Sequence, residues 1–342
     1  MFEGFERRFL ATPRGQIAAR IGGSGPPLLL LHGYPQNHLM WRDAAPLLAE
    51  RFTVIAADLP GYGDSFKPPV AVDHEPHSKR ALARDLAAAM AALSFERFAV
   101  AGHDRGARVA YRMALDRPEL VSALAVLDII PTGEAWARAD RAFALAYWHW
   151  MFLAQPPPLP ERLIDGQADA FFDHHLQRIG LGAAEGRYPP AVLASYRQQL
   201  YDPASVEAIC EDYRAGATID AEHDAEGGRI SCPVLVLWGS RGALGALYGD
   251  VLEIWRAWAD RVQGHAVDAS HFLVEDQPEL VARELAEFFA QSAEATSGQP
   301  AAGGETQQRG SGGEAQGQAS ASAASAGEGE VPGSEQATSR SE

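Results

Sequence analysis

The stretch VAGHDRGARVAYRMA, residues 100–114, decides the fold, because a strand, a tight turn and a helix follow one another within it. The residues before Gly102 are apolar, as in a buried strand, and those after Gly106 have helical spacing. Between them, GHDRG (102–106) has the form G-x-nucleophile-x-G, whose small residues permit a sharp strand-to-helix turn. This pattern predicts that Asp104 projects from the top of a sheet. The alternative is an aspartate that only caps the helix.

Short apolar runs alternate with helical segments on both sides of this turn. The runs are PPLLLLHG (26–33), FTVIAADLPGYG (52–63), LVSALAVLDIIP (120–131) and CPVLVLWGS (232–240). Continuous apolar strands that are separated by helices indicate a parallel sheet covered on both faces. We therefore expect an α/β fold with a mostly parallel central sheet flanked by helices.

This alternation of strands and helices stops between residues 132 and 225, which are helical and aromatic in character. We interpret 132–225 as a helical cap inserted between two parts of the sheet domain, 1–131 and 226–295. Ligands of open α/β sheets bind at the carboxyl ends of strands, so a cap there would cover the site.

The last segment, 296–342, consists mainly of Gly, Ser, Ala, Gln and Glu and predicts a disordered tail. The alternative for this segment is one that folds on a partner.

Composition restricts the partners that we expect. The 342 residues carry a formal net charge of −16, which argues against binding to nucleic acid. No apolar stretch reaches the roughly 20 residues that a membrane span needs, and no signal peptide is visible. The cysteines, Cys210 and Cys232, form no CxxC pair, so we expect no disulfide framework and a cytoplasmic location.

Two further residues complete the chain order nucleophile, acid, histidine. His271 lies in DASHFLVEDQPE (268–279), on the loop between the last strand and the last helix. Asp128 ends the strand AVLD, whereas the loop after VLVLWG has no carboxylate. The alternative for both is an ordinary loop residue.

The adjacent His174 and His175 lack metal-binding spacing, so we expect neither a metal nor a cofactor.

An aspartate nucleophile implies a covalent mechanism. Attack by the Asp104 carboxylate on carbon gives an ester, which water activated by His271 then hydrolyses. Asp128 is expected to hold His271 in the correct tautomer and to stabilise its protonated form. The oxyanion formed on Asp104 needs two donors, and we expect the backbone N–H groups of Tyr34 and Arg105 to supply them.

Five segments carry a resemblance to a known family. They are HGYPQNHLMW (32–41), DLPGYGDS (58–65), GHDRGARVAYRMALDRPE (102–119), LDIIPT (127–132) and YWHWMF (147–152). The first two occur widely, whereas HDRGARVAYR and YWHW are specific. From about residue 5 to 292 the chain resembles the α/β-hydrolases and, within them, the fluoroacetate (haloacetate) dehalogenases. The fold that this implies is an α/β-hydrolase core with an inserted helical cap.

The two arginines after Asp104 have a meaning within this resemblance. Haloalkane dehalogenases and epoxide hydrolases usually have tryptophan directly after the aspartate, where this chain has Arg105. Arg108 lies four residues beyond Asp104, on the same helical face. Each cation in the first turn of a helix lowers its stability by roughly 0.3–1 kcal/mol. The resemblance implies that Arg105 and Arg108 bind the substrate carboxylate. The alternative is that both are solvated helix residues.

The resemblance also implies a site for the leaving halide. Fluoride departs only with several good donors in a site that excludes bulk water. His149, Trp150 and Tyr213 match the positions that supply these donors in the family. The alternative is core packing, since apolar helix stripes usually face a core.

The resemblance implies that the protein hydrolyses fluoroacetate to glycolate and fluoride. It also implies a homodimer as the assembly. One alternative is another aspartate-nucleophile enzyme such as an epoxide hydrolase, which needs two cap tyrosines and a neutral pocket. A third hypothesis is a non-catalytic small-molecule binding protein of the same fold. That hypothesis predicts loss of at least one of Asp104, Asp128 and His271, which are all present.

Overall fold

The centre of the protein is an eight-stranded sheet. Its strands are β1 (Glu6–Ala11), β2 (Gln16–Gly22), β3 (Pro27–Leu31), β4 (Thr53–Ala57), β5 (Phe98–His103), β6 (Val121–Leu127), β7 (Val234–Gly239) and β8 (Val262–Val267). In space they follow the order β1-β2-β4-β3-β5-β6-β7-β8. β2 is antiparallel to both of its neighbours, and β3 to β8 are parallel. The structure is a computed structural model that describes residues 1–178 and 188–297.

The sheet is buried on both faces, because successive side chains of a strand point to opposite sides. In β3, Leu28 and Leu30 pack into one apolar layer, and Leu29 and Leu31 pack into the other. None of these leucines is more than 1% exposed. Burial on both faces explains why the strand sequences are continuously apolar rather than alternating. The predicted α/β class and mostly parallel sheet are confirmed.

Helices cover each apolar layer. In chain order they are α1 (Ala44–Leu48), α2 (Lys79–Ala92), α3 (Arg105–Asp116), α4 (Thr132–Ala137), α5 (Arg141–Ala146), α6 (Trp148–Leu153), α7 (Leu159–Ile164), α8 (Ala168–Arg178), α9 (Pro190–Gln198), α10 (Pro203–Ala217), α11 (Ile219–Ala225), α12 (Leu244–Tyr248), α13 (Val251–Trp258), α14 (Leu273–Asp276) and α15 (Pro278–Ser297). Short 3₁₀ turns cover His38–Trp41, Glu75–His77 and Gln199–Tyr201. α1 and α15 pack on one layer, and α2 and α3 pack on the other.

The helices α4 to α11 lie between β6 and β7, in the interval where the sequence predicts a cap. The division into the core segments 1–131 and 226–295 and the cap 132–225 stays a prediction. The predicted tail, 296–342, lies outside the described residues except for its first two, which belong to α15. Among the helices of residues 1–178 and 188–297, none is both long enough and apolar enough to cross a membrane.

The turn between β5 and α3 requires glycine on both sides of Asp104. Asp104 has φ 47° and ψ −115°, a backbone conformation that residues other than glycine rarely adopt. A Cβ on Gly102 would lie 2.5 Å from the carbonyl oxygen of Gly106. A Cβ on Gly106 would lie 2.4 Å from the carbonyl oxygen of His32. Helix α3 therefore starts close against the ends of β3 and β5, and any larger residue at either glycine would push it away.

We expect Gly106→Ala to lower the free energy of unfolding by about 1–3 kcal/mol, because the added methyl group meets rigid backbone. Gly245→Ala is the matched control, since its Cβ would lie 3.5 Å from Trp238 Nε1, an ordinary contact. Alanine in that helical position should raise stability by about 0.5–1 kcal/mol. Urea titration of both variants measures the difference, and equal stabilities would contradict this explanation of the turn.

Candidate active site

Asp104 lies at the carboxyl end of β5 with its carboxylate buried. Its Oδ1 accepts a hydrogen bond of 3.0 Å from the backbone N–H of Tyr34. Burial alone would raise the pKa of this carboxyl group, but the nearby charges of His271, Arg105 and Arg108 hold it well below its ordinary value. The Asp104 side chain is therefore an ionised carboxylate at neutral pH, as a nucleophile must be.

His271 and Asp128 form a hydrogen-bonded pair beside this carboxylate. Asp128 directly follows β6, and its Oδ2 lies 2.6 Å from His271 Nδ1. The backbone N–H of Gly239 donates to Asp128 Oδ1 at 2.8 Å, which fixes the carboxylate. Burial alone would lower the pKa of His271, but the Asp128 hydrogen bond and charge raise it above the ordinary value. Asp128 thus orients the imidazole and leaves Nε2 as the nitrogen able to take a proton.

The order of the strands brings the three predicted residues together. Asp104 follows β5 and Asp128 follows the neighbouring β6, while His271 lies on the loop after β8. His103 Nε2 lies 2.8 Å from the carbonyl oxygen of His271, which ties that loop to the end of β5. Asp104, Asp128 and His271 all line one cavity, together with Arg108.

This small cavity lies between the sheet and the helices above it. Its acidic and basic lining residues are the four just named. Its remaining lining residues are Ile130, Ala135, Phe143, Tyr147, Trp150, Leu244 and Tyr248. The walls are mainly apolar and aromatic, so the charges at the bottom act in a region of low dielectric. The sequence analysis did not single out Tyr147 or Tyr248, which reach the cavity from different parts of the chain.

The loop that carries Tyr34 is held by a buried carboxylate that the sequence analysis missed. Glu275 accepts hydrogen bonds from the side chains of Gln36 and Arg42, and one of 2.9 Å from Tyr196 Oη. Gln36 belongs to the same loop as Tyr34, and Tyr196 lies on α9. Glu275 therefore joins this loop to a helix of the predicted cap and keeps the Tyr34 N–H aimed at Asp104.

Arg108 faces the cavity with much of its guanidinium held in place. Its Nη1 donates to the carbonyl oxygen of Ile130 and to Thr132 Oγ1, at 3.1 Å each. The guanidinium carbon lies 4.6 Å from the centre of the Trp150 ring. No carboxylate is among these contacts, so the positive charge of Arg108 is available to an anion in the cavity.

Arg105 is buried equally deeply but is bound differently. Its Nε donates to Asp212 Oδ2 at 2.6 Å, and its Nη2 donates to the backbone carbonyl oxygen of Asp212 at 2.7 Å. The guanidinium carbon lies 4.2 Å from the centre of the Tyr213 ring. The two arginines, predicted as equivalent, therefore differ in electrostatic role. The need of a buried cation for a counter-ion is the one signal in the sequence that could have pointed to Asp212.

The three residues predicted to bind halide lie together above Asp104. The ring centres of His149 and Tyr213 are 5.7 Å apart, and those of Trp150 and Tyr213 are 6.2 Å apart. Tyr34 packs edge-on against Tyr213 at 5.6 Å. His175, which the sequence analysis considered only as a metal ligand, lies 4.6 Å from the His149 ring. Its spacing in the sequence gave no sign of this contact, because it depends on how α8 packs.

Several buried polar atoms in this region have no hydrogen-bond partner among the described residues. They are Tyr34 Oη, His149 Nδ1, His175 Nδ1, Tyr213 Oη, Arg105 Nη1 and Arg108 Nε. Burial lowers the pKa of both imidazoles, that of His175 to about 3, so each is neutral and carries one N–H. An unsatisfied buried polar group costs about 1–3 kcal/mol, so a cluster of them indicates a polar or anionic ligand. Within the described parts of the chain, no group of three or more His, Cys, Asp or Glu residues is arranged to hold a metal ion.

Comparisons with known proteins agree with this geometry. A family profile described as the alpha/beta hydrolase fold matches residues 26–278. A fluoroacetate dehalogenase from a Burkholderia species is 47% identical over 292 residues, covering 85% of this chain and 95% of that protein. A soluble epoxide hydrolase from Corynebacterium sp. (strain C12) is 34% identical over 274 residues, covering 78% of this chain and 91% of that protein.

Solved structures show the same fold. A crystal structure of a protein assigned to the alpha/beta hydrolases, from Nostoc sp PCC 7120, aligns with a TM-score of 0.82 at 47% identity. The alignment covers 84% of this chain and 99% of that one. The chain therefore belongs to the α/β-hydrolase family of enzymes, and the resemblance to the fluoroacetate dehalogenases within that family is confirmed.

Proposed function

We propose that this protein is a haloacetate dehalogenase that converts fluoroacetate and water to glycolate and fluoride through an ester on Asp104. The observation that carries the proposal is the cavity in which the Asp104 carboxylate lies with the guanidinium group of Arg108. A substrate that is itself an anion needs such a cation, because two carboxylates in a buried site repel each other. The 47% identity to a fluoroacetate dehalogenase supports the same substrate class.

In the first step, a carboxylate oxygen of Asp104 attacks the carbon that bears the halogen. The new C–O bond forms as the carbon–halogen bond breaks, and the halide leaves with the bonding electron pair. Arg108, with Arg105 beside it, binds the substrate carboxylate and holds the carbon against Asp104. The buried N–H and O–H groups of His149, Trp150 and Tyr213 stabilise the departing halide.

In the second step, water hydrolyses the ester. His271 Nε2 takes a proton from a water molecule, whose oxygen attacks the carbonyl carbon of Asp104. The backbone N–H of Tyr34, which lies 3.0 Å from Asp104 Oδ1, stabilises the oxyanion, with the backbone N–H of Arg105 as the second donor. The ester C–O bond then breaks, and glycolate leaves after its alkoxide takes the proton from His271. Asp104, which now carries one oxygen from water, loses the remaining proton of that water to solvent and so regains its carboxylate.

Epoxide hydrolysis is a second candidate with specific support. Tyr147 lines the cavity, and Tyr213 Oη is buried without a partner among the described residues, so two tyrosines lie where an epoxide oxygen would need an acid. The 34% identity to a soluble epoxide hydrolase points the same way. Arg108, which forms no ion pair among the described residues, favours an anionic substrate instead. A homodimer and a cytoplasmic location stay predictions.

The first test is product release. We expect the full chain to release fluoride and glycolate from fluoroacetate in equal amounts, and Asp104→Asn to release neither, because its amide is a poor nucleophile. A fluoride electrode and chromatography of the products measure both. In parallel, diol formation from styrene oxide tests the epoxide candidate. Diol without fluoride would overturn the proposal, and neither product would favour a binding protein.

Incubation of His271→Asn with fluoroacetate should trap the ester intermediate on Asp104. The first step does not need the base, so the ester should accumulate and raise the protein mass by about 58 Da, one carboxymethyl group. Asp104→Asn treated in the same way is the control and should keep its mass. Intact-protein mass spectrometry distinguishes these results, and an unmodified His271→Asn protein would contradict the covalent route.

The charge of Arg108 should matter more for anionic substrates than for neutral ones. We expect Arg108→Gln to raise KM for fluoroacetate about tenfold to a hundredfold, since a hydrogen bond to a charged group contributes about 1.5–3 kcal/mol. KM for neutral fluoroacetamide should change little. Arg112→Gln is the matched control on the same helix, because Arg112 pairs with Asp116 at 3.0 Å and does not line the cavity. Equal losses with both substrates would contradict the carboxylate-binding role.

The pH dependence of turnover should report His271. Because its pKa is raised above 6.5, the neutral base is lost as pH falls through that raised value, and the rate should fall with it. Asp128→Asn removes the raising charge, so the acid limb should move to lower pH and the plateau rate should fall. Asp268→Asn removes an exposed carboxylate three residues from His271 and should leave the limb unmoved. Turnover rates measured from about pH 5 to 9 give these profiles. An acid limb at the wild-type pH in Asp128→Asn would contradict the role of the His271–Asp128 pair.

A further inference from the structure

A cluster of buried charges lies around Arg105, and apart from Arg105 itself its members have no part in the reaction steps above. It consists of Tyr62, Lys79, Arg105, Asp212 and Asp220, none of which is more than 2% exposed. Charged side chains are almost never fully buried unless they are paired. Two cations and two carboxylates make this cluster neutral as a whole, so the charge of Arg105 is already compensated before any substrate binds.

Asp212, on α10, is the centre of this cluster. Its Oδ2 accepts from Arg105 Nε at 2.6 Å and from Tyr62 Oη at 2.8 Å. Its Oδ1 accepts from Lys79 Nζ, which also lies 3.1 Å from Asp220 Oδ2. One carboxylate of the predicted cap therefore binds the loop after β4, helix α2 and helix α3.

The contacts of Asp212 determine which part of Arg105 remains available. The side chain of Asp212 takes Nε, and its backbone carbonyl oxygen takes Nη2 at 2.7 Å. Nη1 is buried and has no partner among the described residues. The adjacent residue, Tyr213, lies against the guanidinium at 4.2 Å. The guanidinium is thereby held at one edge and on one face, and Nη1 is its nitrogen without a partner among the described residues.

We propose that Asp212 is a positioning residue that holds the Arg105 guanidinium so that Nη1 donates to the substrate carboxylate. It acts through Arg105 and does not touch the substrate. This inference rests on the proposed function. It assigns different tasks to the two arginines: Arg108 supplies a positive charge that is in no ion pair among the described residues, and Arg105 supplies a directed hydrogen bond. An arginine side chain that is fixed in advance loses less conformational entropy when the substrate binds.

The chain offers a matched control at the next position of α10. Glu211 is buried as deeply as Asp212 and is also paired, with Arg214 at 2.8 Å and with His74 at 2.7 Å. Within the described part of the chain, Glu211 makes no hydrogen bond or ion pair with Arg105 and does not line the cavity. Glu211→Gln and Asp212→Asn thus remove equivalent charges from the same helix, but only the second frees Arg105.

The experiment compares KM and kcat of both variants with fluoroacetate and with neutral fluoroacetamide. We expect Asp212→Asn to raise KM for fluoroacetate about tenfold, the equivalent of one charged hydrogen bond, with a smaller change in kcat. KM for fluoroacetamide should stay near the wild-type value. Glu211→Gln should keep the wild-type KM for both substrates, whatever its stability.

Asp212→Glu keeps the charge but moves the carboxylate by one methylene group, and it should raise KM for fluoroacetate by less than Asp212→Asn. If Asp212→Asn does not fold, Asp212→Glu against the wild type carries the test alone. A wild-type KM in these variants, or an equal rise for both substrates, would overturn the positioning role. Absence of halide release by the wild type would instead overturn the proposed function, so the two failures are distinguishable.

Discussion

The structure depends on a buried carboxylate that is held at a strained turn. Asp104 has φ 47°, a conformation that costs of order 1–3 kcal/mol and persists only where the surroundings fix it. Gly102 and Gly106 fix it by letting α3 approach the strands within backbone contact distance. The turn gives the carboxylate a position that neither a strand nor a helix would provide, at the bottom of a cavity beneath the helices between β6 and β7.

A charge in such a place needs compensation, and this need organises the surrounding residues. Burial opposes ionisation of Asp104, while His271, Arg105 and Arg108 favour it. Each compensating group then needs its own partner. His271 has Asp128, Arg105 has Asp212, and Arg108 donates to two neutral oxygens, those of Ile130 and Thr132. Among the described residues Arg108 thus forms no ion pair of its own, and under the proposed function its end of the cavity is where the substrate carboxylate binds.

The sequence predicted the parts of this arrangement that depend on local pattern and strand order. The turn at Asp104 follows from two glycines between a strand and a helix, and Asp128 follows from a carboxylate at a strand end. Their meeting with His271 follows from the parallel sheet, which collects strand ends at one edge. Asp212 and His175 could not be predicted from the sequence in this way. Their roles depend on how α10 and α8 pack over the sheet, and helical spacing does not determine that packing.

Under the proposed function, packing also bears on which substrate the site accepts. An aspartate that forms an ester serves for a haloacid and for an epoxide alike, so the nucleophile does not select between them. Under the proposed function, selection comes from the charged groups that are left without an ion pair. Tyr147 and Tyr213 offer hydroxyl groups that suit either chemistry, whereas Arg108 favours an anion. Adding a carboxylate partner for Arg108 should then weaken the proposed preference for an anionic substrate without changing Asp104.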